Sequence, residues 1–286
     1  MSTGSRSSMS LRRTKISEEM VPMKEASHHA DVDVVLEARG LRKEFRGYVA
    51  VNSVDLDIRR GTIHALIGPN GAGKTTVFNL LTKFLVPTSG RIRLEGADVT
   101  TEQPAALARL GLVRSFQISA VFPHLSVSEN IAIALQQRFV SPSKFWRGGL
   151  RPDDMSERIC GLLGQVDLSA FAQTRAGDLA YGRKRALELA TTLATEPKVM
   201  LLDEPTQGLG HEDVERVTDL IKQAAIGRTV VMVEHNMKMV ARIADRISVL
   251  RRGEIIAEGP YHEVSSNPQV IESYLGSRSR TAGKAS

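Results

Sequence analysis

The sequence predicts an α/β fold in which a parallel sheet buried on both faces is joined to an antiparallel β region and a helical insertion. Three observations carry that expectation. First, Val199-Met200-Leu201-Leu202 and Val230-Val231-Met232-Val233 are continuously apolar, follow segments of helical period and run into charged residues. This is the pattern of strands covered on both faces, with function at their carboxyl ends. Second, Val34-Val35-Leu36-Glu37-Ala38, Val54-Asp55-Leu56-Asp57-Ile58 and Ile63-His64-Ala65-Leu66-Ile67 read as half-exposed antiparallel strands, from their apolar/polar alternation. Third, residues 119–178 carry helical spacing at Ile131, Ala134 and Leu135 and at Ile159, Leu162 and Leu163. A loop holding Ser141-Pro142-Ser143 and Gly148-Gly149 interrupts them.

Residues 1–33 are rich in Ser, Arg and charge without periodicity and are expected to be a disordered extension, in which Met9, Met20 and Met23 each offer an alternative start. His28 and His29 lie there, and no metal is assigned to them. The folded domain is expected over 34–276. Near its end Arg246-Ile247-Ser248-Val249-Leu250, a turn at Arg251-Arg252-Gly253 and residues 254–259 read as a hairpin before a short closing helix. Residues 277–286 form a basic tail holding Arg278, Arg280 and Lys284 without an acid.

The 286 residues are 42% hydrophobic and 24% charged, ordinary globular values that leave room for a sizeable core. The apolar runs fall far short of the roughly 18 residues of a spanning helix, so no membrane crossing is expected. The basic N-terminus is not followed by an apolar stretch, which argues against a secretory signal. Cys160 is the single cysteine, so no internal disulfide is possible. About half of the +6 net charge sits in the tail, and no nucleic-acid partner is expected from it.

Gly68-Pro69-Asn70-Gly71-Ala72-Gly73-Lys74-Thr75 matches G-x-x-x-x-G-K-[ST], between an apolar strand and a helical run beginning at Thr76. Glycines let successive N–H groups point into one concavity, and the helix behind presents its positive end. Lys74 suits the β- and γ-phosphates of a nucleotide, and the Thr75 hydroxyl suits Mg²⁺. Asp203 and Glu204 end a buried strand expected to lie beside the one leading to Gly68. Asp203 is suited to hold Mg²⁺ through its water shell and Glu204 to polarise an attacking water. His235 follows the next apolar strand and can donate to a phosphate or to that water. Gln117, after Gly111-Leu112-Val113-Arg114, is either a neutral Mg²⁺ ligand or an ordinary loop glutamine.

Taken in order, these residues resemble the ATP-binding cassette superfamily over about 36–276. Gly68 to Thr75 resembles the Walker A loop, Gln117 the Q-loop, and Leu179-Ala180-Tyr181-Gly182-Arg183 the signature motif. Val199 to Asp203 with Glu204 resembles Walker B and the catalytic glutamate, and His235 the switch histidine. The resemblance implies a P-loop NTPase core of the RecA-like kind with an antiparallel β subdomain and a helical insertion at about 119–178. It also implies ATP and Mg²⁺ as cofactors and Phe45 as an adenine stacker, with Tyr48 as the fallback and packing as the alternative. Tyr181 and Gly182 are implied to meet the γ-phosphate of an opposing subunit, and hence a dimer with an identical or different ATPase.

Transmembrane permease subunits, and indirectly a solute-binding protein, are the other partners implied, with a cytoplasmic location peripheral to the inner face of the membrane. Leu112 to Gln117, Glu234-His235-Asn236-Met237 and the closing Asn267-Pro268-Gln269-Val270-Ile271-Glu272-Ser273-Tyr274-Leu275-Gly276 are most similar to ATPases of branched-chain amino acid importers. Lipid, lipopolysaccharide or urea transport would share every catalytic motif, and a non-transport cassette is a further alternative. The sequence departs from the family at Ala180 in place of serine, Arg183 in place of glutamine, and Gly210 in place of Asp, Asn or Ser. Phe145 and Trp146, beside Lys144 and Arg147, read either as anchors for a membrane subunit or as local packing.

Overall fold

The computed structural model describes residues 33–115, 121–139 and 151–274. Gln117, Phe145, Trp146, the tail and the N-terminal extension up to residue 32 lie outside them.

Two sheets organise the chain. β1 (Val34–Phe45) and β2 (Tyr48–Arg59) form an antiparallel hairpin. Arg46 and Gly47 both take positive φ, 47° and 88°, a backbone that suits the strand twist of a two-residue turn. β4 (Ser89–Leu94) and β5 (Ala97–Asp98) complete a sheet of order β2-β1-β4-β5. The second sheet contains β3 (Ile63–Ile67), β6 (Leu112–Ser115), β7 (Val199–Asp203), β8 (Thr229–Val233), β9 (Arg246–Arg251) and β10 (Glu254–Gly259). Its order is β10-β9-β3-β8-β7-β6, parallel throughout except for the antiparallel edge hairpin β9–β10.

Two sequence expectations are corrected here. β3 is a central parallel strand with all five residues buried, not a half-exposed antiparallel one. The misleading residue was His64, a polar side chain that is fully buried, with Nε2 2.8 Å from Ser248 Oγ. β7 is also not beside β3, because β8 lies between them. The functional ends therefore come in spatial order β3, β8, β7, which sets the loop after β8 between the other two.

Side chains alternate across this sheet. Leu66, Leu201, Val231 and Val233 face a core shared with β1, β2 and α1 (Lys74–Leu81), where Phe78, Leu80 and Leu81 are fully buried. Ala65, Ile67, Met200, Leu202, Val230 and Met232 face the opposite core. That core is built with α3 (Val127–Phe139), α4 (Pro152–Gln165), α5 (Tyr181–Ala194), α6 (His211–Ala224) and α7 (Met237–Ile243). Burial of each such large apolar side chain is worth roughly 2 kcal/mol, so both faces are strongly specified. α2 (Pro104–Arg109) and α8 (Tyr261–Ser266) complete the helices named, and Cys160 is exposed on α4.

Candidate active site

The turn after β3 is shaped by glycines that nothing larger could replace. Gly68 has φ of 151°, and a Cβ there would lie 2.1 Å from the Leu250 carbonyl oxygen. At Gly73, φ is 103° and the same atom would meet the Ala50 carbonyl oxygen at 2.5 Å. Gly71 takes φ of 77° with open space around it, leaving backbone accessible on the outer side of the loop. The loop is fixed from behind: Gly253 N donates to Ala72 O at 2.8 Å, and Asn52 N to Gly253 O at 2.8 Å. Ala72 N donates to Pro69 O at 3.1 Å, and Gly73 stands at the N-cap of α1.

Lys74 is curled back onto the loop, its Nζ donating to Gly68 O at 2.8 Å and Pro69 O at 3.1 Å. It is only 9% exposed, and burial pushes its pKa down while Glu204 and Asp203 push it back up. β3, β8 and β7 are parallel neighbours, so the cradle after β3 and the carboxylates ending β7 open at the same edge of the sheet. Asn70, Gly71 and Thr75 are exposed, with Pro69, Gly73 and Thr76 partly so. Backbone amides, a buried ammonium and a free helix start suit a polyphosphate. Among the described residues no cluster of three His, Cys, Asp or Glu side chains exists that would hold a metal by itself. Thr75 and Asp203 are instead a sparse donor set, the kind used when a divalent ion is carried chiefly by phosphate oxygens and water.

At the end of β7, Asp203 Oδ2 accepts from Arg114 Nη2 at 2.6 Å. Glu204 has φ of 48°, a left-handed conformation costly for a residue with a Cβ, and its N–H donates to Val233 O at 3.0 Å. Glu204 is partly exposed, and the His235 side chain is exposed at the next strand end. The backbone thus turns sharply at Glu204, at the sheet edge where the cradle also lies.

Glu234 has no role in the sequence reading beyond its place in Glu234-His235-Asn236-Met237. Its side chain is fully buried, yet its Oε1 accepts from Thr206 N at 3.0 Å and Thr206 Oγ1 at 2.5 Å. Its Oε2 accepts from His235 N at 2.8 Å and Asn236 N at 2.9 Å. The signal available in the sequence was a carboxylate directly after a fully apolar strand. Tyr274 belongs to the closing segment 267–276. Its hydroxyl lies in hydrogen-bond reach of the Gly68 backbone, and burial pushes its pKa up to about 12.

The segment 179–183 lies at the head of α5. Ala180 is the N-cap and gives no side-chain bond, so helix amides are left without that partner. Tyr181 is exposed, its hydroxyl donating to Gln207 O at 3.3 Å. Gly182 is buried against α6, where an added Cβ would lie 2.3 Å from Asp213 Oδ1. Arg183 carries its guanidinium 4.1 Å above the Phe171 ring. Gly210 caps α6 without a side-chain bond. Phe45 and Tyr48 flank the β1–β2 turn, 41% and 65% exposed, with Lys43 Nζ 5.1 Å from the Phe45 ring centre.

Comparison with known proteins agrees with this geometry. Residues 51–207 match the family model described as ABC transporter, and 254–279 match one described as Branched-chain amino acid ATP-binding cassette transporter. High-affinity branched-chain amino acid transport ATP-binding protein BraF of Pseudomonas aeruginosa is 38% identical over 251 residues, spanning 85% of this chain and 98% of that protein. A crystal structure of the ADP conformation of an ATP-binding cassette of an ABC transporter superposes with TM-score 0.74. It is 31% identical and covers 85% of this chain and 99% of its own. A bacterial ABC transporter cassette described as dimeric superposes with TM-score 0.66 at 26% identity, over 79% of this chain and 98% of its own. With the family match, this likeness and the phosphate cradle in one chain, the protein belongs to the ABC transporter family, as an ATP-binding and ATP-hydrolysing subunit.

Proposed function

We propose that this chain powers an importer of branched-chain amino acids or similar small polar solutes. The observation that carries the reading is that the Lys74 cradle and the Asp203–Glu204 strand end open at one carboxyl edge of the sheet, in a chain that shares 38% identity with BraF. In this reading Phe45, with Tyr48 as the alternative, stacks the adenine, and the amides of Gly68 to Thr76 cradle the phosphates. Lys74 leaves its two carbonyls for phosphate oxygens, an exchange favoured because burial makes a bare ammonium costly. Mg²⁺, when bound, neutralises phosphate charge; Thr75 and Asp203, with Gln117 outside the described residues, would hold it. Glu204 orients and polarises the attacking water, and His235 donates to the phosphate being released.

In the same reading the exposed Tyr181 at the head of α5 faces a second cassette while Gly182 packs on α6, so turnover needs two subunits. The folded domain is taken as 34–276 with the helical insertion at about 119–178. In the same reading the permease partner would rest against a cavity of about 320 Å³ that includes Thr82, Phe84, Leu107, Ala108 and Arg114, since the alternative anchors Phe145 and Trp146 lie outside the described residues. Phe84 is 55% exposed there, and Arg114 links that wall directly to Asp203. Through the permease the chain would sit at the inner membrane face and act with a solute-binding protein. No helix among the described residues is long and apolar enough to cross a membrane itself.

The test is uptake of radiolabelled leucine by cells lacking their own ATPase of this kind but retaining its permease. Restoration by this chain and not by its Glu204→Gln variant supports the reading. Failure of a well-expressed, ATP-hydrolysing chain to restore uptake assigns it to another cargo.

A further inference from the structure

The carboxylate of Glu234 is shared by two loops. Both bonds to Oε1 come from Thr206, two residues beyond Glu204, and both bonds to Oε2 come from the amides of His235 and Asn236. All four partners are N–H or O–H donors, which suits an acceptor-only carboxylate; a glutamine amide would turn its NH₂ against one of these pairs. A fully buried carboxylate is heavily penalised unless several donors meet it, so this site is satisfied only when both loops are in place together. The strands are bonded to each other up to Glu204 N on Val233 O. Glu234 extends that connection past the strand ends. It also reaches α7, because Asn236 Oδ1 accepts from Met239 N at 3.2 Å and caps that helix.

We propose that Glu234 is a positioning residue for hydrolysis, one that makes the segment carrying Glu204 and the segment carrying His235 move and dock as a single unit. The inference rests on the roles given to Glu204 and His235 above. Without the link, each loop can still adopt its working position, but not reliably at the same moment, so turnover falls while nucleotide binding is kept.

A double-mutant cycle on the purified full chain with Mg-ATP tests it. Thr206→Val keeps the backbone donor and removes only the hydroxyl. It is expected to lower kcat about 10-fold with KM within roughly 2-fold, and His235→Ala on the order of 100-fold. In the His235→Ala background, Thr206→Val should then cost nothing further. Losses that multiply, or a Thr206→Val effect confined to KM, overturn the proposal while leaving the role of His235 intact. A His235→Ala chain with wild-type kcat removes that role and the proposal with it.

Amide hydrogen exchange in the nucleotide-free chain is the readout independent of turnover. Glu234→Gln should raise exchange about 10-fold or more at Thr206, His235 and Asn236 together. A rise limited to one loop overturns the link. Thr206→Val carries the test alone if Glu234→Gln fails to fold.

Discussion

Arg114 Nη2 donates to Asp203 Oδ2 at 2.6 Å, and the two side chains are only 6% and 10% exposed. Arg114 also donates to Asn79 Oδ1 at 2.6 Å and lies over the rings of Phe78 and Phe84, 5.9 and 5.6 Å from their centres. One guanidinium therefore ties β6 and α1 to the carboxylate at the end of β7.

Removing that guanidinium leaves Asp203 buried without its cation. Arg114→Met is expected to destabilise the chain by about 3 kcal/mol, the usual result of stripping one partner from a buried pair. Urea unfolding measures it; a loss below about 1 kcal/mol would show that solvent reaches Asp203 as readily as Arg114 does.

Gly68 and Gly61 separate crowding from backbone strain. Both have positive φ, 151° and 71°, but only Gly68 has an atom in the way, the Leu250 carbonyl oxygen. Gly61→Ala should cost about 1–2 kcal/mol from conformation alone. Gly68→Ala should cost at least about 3 kcal/mol and abolish ATP binding, because Leu250 or the cradle must shift. Equal losses in thermal or urea unfolding would contradict the steric account.

Much of this is legible in the sequence. The cradle, the two carboxylates and His235 are local motifs bounded by strongly apolar strands, and periodicity finds such strands well. The partners of those motifs were hidden, because they are remote in sequence: Arg114 and Asp203 are 89 residues apart, and Thr206 and Glu234 28 apart. β4, β5 and α2 escaped for a different reason. They are short, and the alternation in Ser89–Leu94 is broken by Gly90, so no window carries a clear period. His64 produced the wrong strand assignment because a polar residue in a strand reads as solvent-facing unless its buried partner, here Ser248, is known.

His64 also makes stability depend on pH. Burial pushes its pKa down from 6.5 to about 3, so the folded state holds it neutral while the unfolded chain binds a proton below 6.5. The stability this contributes is complete above about pH 6.5 and is lost as pH falls toward 3. Between pH 7.5 and 5.5 the expected loss is about 1.4 kcal/mol. Urea midpoints at the two pH values should differ by that much more in the wild type than in His64→Gln; equal acid sensitivity would contradict it.

Ala180 sits at the N-cap of α5 without an oxygen to offer. Ala180→Ser should add about 1 kcal/mol by accepting an amide of the first turn. Chemical denaturation measures the gain, and an unchanged or lowered stability would show that those amides are already satisfied.

In the proposed mechanism Glu204 activates water within an ATP-binding cradle that remains intact without it. ATP affinity and turnover of the purified chain beside its Glu204→Gln variant test this most directly. Equal affinity, turnover reduced at least about 100-fold, and accumulation of an ATP-bound dimer in the variant are expected. A variant that hydrolyses ATP like the wild type, or that loses ATP binding along with turnover, would contradict it.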